Sequence, residues 1–251
     1  MSGHSKWHTI KHKKGATDAK RGKLFTKLIK EIQVAARMGG GDVNANPRLR
    51  KAVSDARGQQ MPNDTITRAI KRGTGELEGT NYEEVVYEGT GPGGTLWMVQ
   101  ALTDNRNRTV AELRKVFERN GGVLGGGGSA AWAFDRKGII EVLQENLSEE
   151  RLMEIALEAG AEHYEADGDS WSIHAELTDL DTLNSALESA EITVETAAPG
   201  YVAKTKKPVQ GKDAEKCLAL YDALDDHDDT QSSFSDFDIS DEEMDRLLAE
   251  D

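Results

Sequence analysis

The chain has 251 residues, with 31 Lys and Arg against 45 Asp and Glu, and a formal net charge of −14. No stretch approaches the roughly 20 apolar residues that span a bilayer, which excludes a transmembrane helix; the basic start MSGHSKWHTIKHKK has no apolar run behind it, so no secretory signal is expected. The single cysteine, Cys217, has no partner for an internal disulfide or a Cys-based zinc site, and a reducing, cytoplasmic setting is the expectation.

The net charge conceals a division. Residues 1–75 hold 17 Lys and Arg against 5 Asp and Glu, a balance of +12; the remainder holds 14 against 40, a balance of −26. Such asymmetry points to nucleic-acid or other anionic-surface binding by the basic part.

In chain order, residues 2–16 show no apolar periodicity and read as an arm carrying Lys6, Trp7, Lys11, Lys13 and Lys14. A first helix is predicted from Thr17 or Asp18 to Arg37, since Leu24, Phe25, Leu28, Ile29, Ile32, Ala35 and Ala36 recur at helical spacing. Glycines 39–41 end it. A second helix opens on Asn46 as cap and Pro47 at its first position, with Leu49, Ala52, Val53 and Ala56 inward. A third follows Pro62–Asn63, buries Ile66, Ala69 and Ile70, and stops at Gly73. Three short amphipathic helices with short loops make a small bundle.

Lys20, Lys23, Lys27 and Lys30 step by three, four and three, so they share one face of the first helix. Arg21 lies beside them, and Arg48, Arg50, Lys51, Arg57, Arg68, Lys71 and Arg72 follow. A field of this sign attracts phosphates and gains from counterion release. Backbone contacts of that kind position a protein without reading base sequence. The site residues expected from the sequence are therefore Lys6, Trp7, Lys11, Lys13, Lys14, Lys20, Arg21, Lys23, Lys27, Lys30, Arg48, Arg50 and Lys51.

Beyond residue 76 the pattern mixes strands and helices. Tyr82–Glu88 and Leu96–Leu102 read as a hairpin about GTGPGG, followed by a helix over Thr109–Asn120. Residues 131–200 read as a strand at Trp132–Phe134 continuing through Ile139–Leu143, a helix Ser148–Gly160, strands His163–Ala166 and Trp171–Leu177, a helix Asp179–Ala190 and a strand Ile192–Ala197. That order, βαββαβ, is the split unit of ferredoxin-like folds. Lys204–Pro208 reads as a linker, Lys212–Leu224 as a helix, Ser232–Phe237 as a strand and Ser240–Ala249 as a last helix. The expected fold is therefore α+β and multidomain. A basic helical domain (1–76) precedes an α+β domain (77–130 with 206–251), into which a ferredoxin-like domain (131–205) is inserted. The stretch Asp222–Asp251 holds 13 acidic residues and one basic one. Such a run is ordinarily solvated surface; it also has the charge to shield the basic domain from non-specific nucleic acid.

Catalytic motifs are not found. Gly89-Thr-Gly91-Pro-Gly93-Gly94 matches a dinucleotide fingerprint in letters, but a strand follows where a helix is needed. The glycine run 125–128 lacks the lysine of a phosphate loop and reads as a connecting loop. His4, His8 and His12 sit among lysines that repel a cation, so no metal is expected. The segment Thr103–Thr109 joins a strand to a helix: it is a capped loop, with Asn107 or Asp104 satisfying the helix amides, or Arg106 and Arg108 in it meet phosphate or a partner carboxylate. No cofactor is implied.

Several runs carry a resemblance: GHSKW at 3–7, DAKRGKLFTKLIKEI at 18–32, AARMGGGD at 35–42, NPRLRKAV at 46–53, MPNDTITRAIKRGTGE at 61–76, YEGTGPGG at 87–94, TDNRNRT at 103–109 and FDRKGII at 134–140. Through them the chain resembles the YebC/PmpR family, which includes the mitochondrial translational activator of cytochrome oxidase subunit one. The resemblance implies a cytoplasmic protein with a helical N-terminal domain and two α+β domains, and no catalytic residue set. The family is described as probable DNA-binding transcriptional regulators; other members look like translation factors at the ribosome. A DNA regulator predicts base-reading side chains on the second helix, Arg48 and Arg50 foremost, and a dimer spanning half-sites. An RNA or ribosome factor predicts shape and phosphate contacts, with Trp7 available to stack. An enzyme or a plain interaction scaffold is the third class. The oligomeric state is not legible.

Overall fold

The computed structural model of the protein describes residues 18–250 except 146 and 168; the side chains of 18–20 and 250 lie outside the description. Three helices come first: α1 (Asp18–Gly39), α2 (Pro47–Gly58) and α3 (Asn63–Thr74). Their shared core is Ile32, Ala35, Ala36, Leu49, Ala52, Val53, Ala56, Ile66 and Ala69. So many alanines bring the helix axes close. Gly73 extends this to backbone contact, because a Cβ there would lie 2.4 Å from the Gln33 carbonyl oxygen. Asn46 is buried and does two jobs. Its side-chain oxygen accepts from the Leu49 N–H, capping α2. Its amide donates to the carbonyls of Ala35 (2.8 Å) and Gly40 (2.9 Å), fixing the end of α1. α1 runs beyond the expected Arg37, to Gly39, because the glycine that takes positive φ is Gly40 (+84°).

The first sheet is built from β1 (Glu83–Thr90), β2 (Leu96–Thr103), β3 (Val123–Leu124) and β9 (Thr230–Ser235), in the order β3-β1-β2-β9. Helices α4 (Arg106–Arg119) and α7 (Gly211–Asp225) cover one face, and α8 (Asp241–Glu250) adds Met244 and Leu247 to the same core. Alternation along β2 sends Trp97, Val99 and Ala101 into that core, against Leu113, Phe117, Leu218 and Leu220. α4 begins at Arg106, not at the expected Thr109, because the side chain of Asn105, and not that of the expected Asp104 or Asn107, accepts from the Arg108 N–H and caps it early.

The chain leaves the first sheet after β3 and returns only at β9. Between them lies the second sheet: β4 (Phe134–Leu143), β5 (Ala161–Asp167), β6 (Ser170–Ala175) and β7 (Val194–Ala203), with α5 (Glu149–Glu158) and α6 (Leu180–Ser189). The order is β5-β6-β4-β7, and every pairing is antiparallel. This is the arrangement a split βαββαβ unit makes, so the fold is the α+β architecture, with an inserted ferredoxin-like unit, that the sequence predicts. Element ends shift by a few residues throughout, and three differences are larger. β4 begins at Phe134, and Trp132 sits before it in a 3-10 turn, exposed. β7 continues past Ala197 to Ala203 because Ala198–Ala203 finds partners along Phe134–Ile139. Pro199 is tolerated there because β7 is an edge strand. The expected linker contains β8 (Lys207–Pro208), which pairs in parallel with β10 (Phe237–Asp238).

The two sheets meet through apolar side chains. Met98 of β2, Phe134 of β4, Ala130 and, around them, Leu96, Tyr201 and Phe234 form a separate small core. The Tyr201 and Phe234 rings meet edge to face with centroids 5.6 Å apart. No described helix is long and apolar enough to cross a membrane.

Candidate nucleic-acid interface

Lys23, Lys27 and Lys30 of α1 stand where helical spacing puts them, on one face, but that face is not open. It lies against the corner between α7 and β9, residues 225–229. Lys23 Nζ is 2.6 Å from an Asp226 carboxylate oxygen and donates to the Asp226 carbonyl at 3.1 Å. Lys27 Nζ is 3.1 Å from the Asp225 carboxylate and also donates to the Asp225 carbonyl. Lys30 Nζ is 2.6 Å from Asp229 and 2.8 Å from the Asp228 carbonyl, with the Tyr82 ring 5.4 Å away. The terminal carbonyls of a helix lack intrahelical partners and carry the negative end of its dipole. The α7 terminus and the aspartates after it therefore make an anionic socket for the lysine row.

Asp229 is the centre of this contact. Its side chain is 2% exposed and accepts from Lys30, from Arg108 Nη2 (2.6 Å) and from the Thr109 hydroxyl (2.7 Å). Its own carbonyl accepts from the Leu102 N–H, which ties it to β2. Burial pushes the carboxyl up, but the hydrogen bonds from Lys30, Thr109 and Arg108 outweigh it and hold the group at about 2. The TDNRNRT segment is thus a capped loop whose Arg108 meets a carboxylate of the chain itself. Arg106 pairs with Glu83 at 2.6 Å.

The same seam takes two further cations. Arg37 donates to the Asn81 side chain and the Tyr82 carbonyl. Arg48 makes a two-pronged pair with Glu31 and a second pair with Glu84. Arg50 is exposed but donates to the carbonyls of Val43 and Asn44, bracing its own loop. Lys51 pairs with Asp55. The second helix therefore presents neither of its two foremost base-reading candidates unencumbered. Arg21 lies over the Phe25 ring at 5.4 Å. Lys6, Trp7, Lys11, Lys13, Lys14 and the Lys20 side chain lie outside the described residues, as do His4, His8 and His12.

Besides Arg21, the open cations of the helical region are on α2 and α3. Arg57, Arg68, Lys71 and Arg72 are exposed and make no ion pair among the described residues. Residues 47–74 hold seven basic and two acidic residues, a balance of +5. These four cations belong to the basic field seen in sequence but not to its expected site. What distinguishes them is tertiary: they lie on helices that turn their alanine stripes to α1 and their charges outward.

The glycine run offers no phosphate cradle. Glu88 already fills it, one carboxylate oxygen accepting from the Gly128 N–H (2.8 Å), the other from those of Ala130 (2.6 Å) and Ala131 (2.8 Å). Burial raises the Glu88 carboxyl, but the three amides prevail and hold it below its ordinary value. Among the described residues no group of three or more His, Cys, Asp or Glu side chains is placed to hold a metal ion.

Residues 5–76 match the TACO1/YebC protein N-terminal domain, and residues 82–237 match the TACO1/YebC second and third domain. Full-length similarity extends to proteins named probable transcriptional regulatory protein. One from Desulforapulum autotrophicum is 54% identical, covering 98% of this chain and 100% of its own. Another from Geobacter sulfurreducens is 51% identical over 99% and 100%, and one from Chlorobaculum parvum is 52% identical over the whole of both. The crystal structure of a conserved hypothetical protein from Aquifex aeolicus superposes with a TM-score of 0.84 at 44% identity, covering 89% of this chain and 93% of that one.

Proposed function

The chain belongs to the TACO1/YebC family, and from that premise we propose that it is a non-enzymic regulator of gene expression that binds nucleic acid through the helical region within residues 1–76. The observation that carries this reading is the set of exposed cations on α2 and α3, Arg57, Arg68, Lys71 and Arg72, which make no ion pair among the described residues. Cations of this kind neutralise phosphates and release counterions. The names of the relatives, probable transcriptional regulatory proteins, make duplex DNA the first target.

A second reading, RNA on or off the ribosome, is favoured by one specific feature. Arg48 is held by Glu31 and Glu84, and Arg50 by its own loop, so the helix best suited to a groove has little left to read bases with. Recognition then rests on phosphate and shape, which serves RNA as well as DNA.

One experiment tests both. Arg57, Arg68 and Lys71 are replaced by Gln in the full chain, and binding to duplex DNA, to single-stranded RNA and to ribosomes is followed across salt. Affinity falls for every bound target, and the slope of log K against log salt flattens by about 0.7–0.9 for each phosphate no longer neutralised. Unchanged affinity and slope reject the reading. Retention on ribosomes with no duplex binding selects RNA.

A further inference from the structure

The lysine row of α1 does more than tie that helix to the first sheet. We propose that Lys23 and Lys27 form a phosphodiester-binding site that Asp225 and Asp226 cover in the free chain, and that a nucleic-acid backbone displaces those carboxylates when it binds. The inference rests on the function proposed above and adds to it a covered site and a competition.

The chemistry of the socket carries the argument. Each lysine is satisfied by one carboxylate and one backbone carbonyl. The carboxylate oxygens stand where phosphate oxygens would stand: anionic, at 2.6 and 3.1 Å from the ammonium nitrogens. The two lysines, four residues apart on a helix, are spaced about 6 Å along its axis. A polyanion offers the same contacts with more charge and with counterion release behind it.

The gradient of burial says where displacement begins and where it stops. Lys23 and Asp226 are 41% and 61% exposed, and Lys27 and Asp225 are 12% and 48%. Lys30 and Asp229 are 8% and 2%. Exposed ion pairs are weak and screened by salt. A buried pair whose partner leaves strands a charge. Asp229 is further held by Arg108, Thr109 and the Leu102 N–H. The seam therefore opens from its Lys23 end and stays closed at Lys30. The contact that joins the helical region to the first sheet persists while the site is uncovered.

Buried apolar contact lies beyond Lys30, where Val34 of α1 is 1% exposed and lines a crevice with Tyr82, and not at the Lys23 end. The buried clusters of the helical region and of the first sheet share no residue, and the contacts at the corner are ion pairs, hydrogen bonds and one cation over the Tyr82 ring.

The test compares full-length variants on a labelled single-stranded RNA and a labelled duplex DNA of unrelated sequence. Asp225→Asn with Asp226→Asn tightens binding by about three- to tenfold, the combined value of one exposed and one half-buried ion pair no longer competing. Lys23→Gln with Lys27→Gln weakens binding and flattens the salt slope by about 0.7–0.9 for each phosphate released. Joined in one chain, the four substitutions show no tightening over the lysine pair alone. Glu154→Gln with Glu158→Gln, on the exposed side of α5, removes the same charge far from the seam and leaves affinity within about twofold. Circular dichroism confirms that each variant is folded. Tightening by the α5 pair as large as that by the aspartate pair overturns the inference, since net charge then explains both. So does an aspartate pair that leaves affinity unchanged while the parent chain binds normally. A parent chain that binds neither probe sinks the proposed function, and this inference with it.

Discussion

The molecule contains two seams of opposite kind. Between the two sheets, Met98, Phe134, Tyr201 and Phe234 meet as a small apolar core. Between the helical region and the first sheet, Lys23, Lys27, Lys30, Arg37 and Arg48 meet carboxylates and carbonyls. The apolar seam draws on the hydrophobic effect, which salt does not screen. The charged seam draws on pairs whose worth depends on burial and ionic strength. The sheets are therefore joined as one scaffold, whereas the helical region is joined by contacts that a charged ligand can compete for. A single buried hub, Asp229, keeps the second junction from being merely loose.

The largest expected effect comes from that hub. Asp229→Asn leaves Lys30 buried without a counter-charge, and the helical region loses about 3–5 kcal/mol of docking stability. Urea unfolding monitored by far-ultraviolet circular dichroism, beside limited proteolysis of the 75–82 connection, measures it. A change under about 1 kcal/mol would show that the seam does not depend on its buried pair.

Phe134→Ala attacks the other seam. Deleting a buried ring costs about 3 kcal/mol through lost transfer energy and a cavity. The loss is the same at low and high salt. A loss that changes strongly with salt would erase the distinction between the two junctions.

Acid gives the smallest effect and separates the regions by pH. Folding holds the Asp229 carboxyl near 2, below its ordinary 3.8. Its stabilisation, about 2 kcal/mol, is full above the unfolded value and is lost as pH falls through about 2. His174, in the second sheet, behaves differently. Burial keeps it neutral and lowers it from 6.5 to about 4. The unfolded chain takes up that proton first, so the second sheet loses stability as pH falls from 6.5 towards 4. Acid titration followed by residue-resolved hydrogen exchange shows the second sheet yielding before the charged seam. The reverse order would contradict both assignments.

Much of the fold was legible because its signals are local. Asn46–Pro47 opens α2, glycine ends α1, and alternation and turn residues mark βαββαβ; each depends on neighbours a few residues away. The errors at element ends have the same origin. β7 runs to Ala203 only because β4 supplies partners across the sheet, and α4 starts early only because the exposed Asn105 side chain accepts from the Arg108 N–H. The basic field was legible as well, since charge can be counted.

The sequence by itself determined the helical bundle, the order of the helices and the longer strands, and the concentration of positive charge ahead of negative, but not the two-residue strands β3, β8 and β10. Tertiary structure alone decided which of those charges face solvent. Lys30 and Asp229 are separated by 199 positions, and no periodicity relates them; only the return of the chain through β9 brings them together. Periodicity shows that Lys23, Lys27 and Lys30 share a face. It does not show what lies against that face, because an ion pair is made by proximity in space and helical spacing describes only one of its partners.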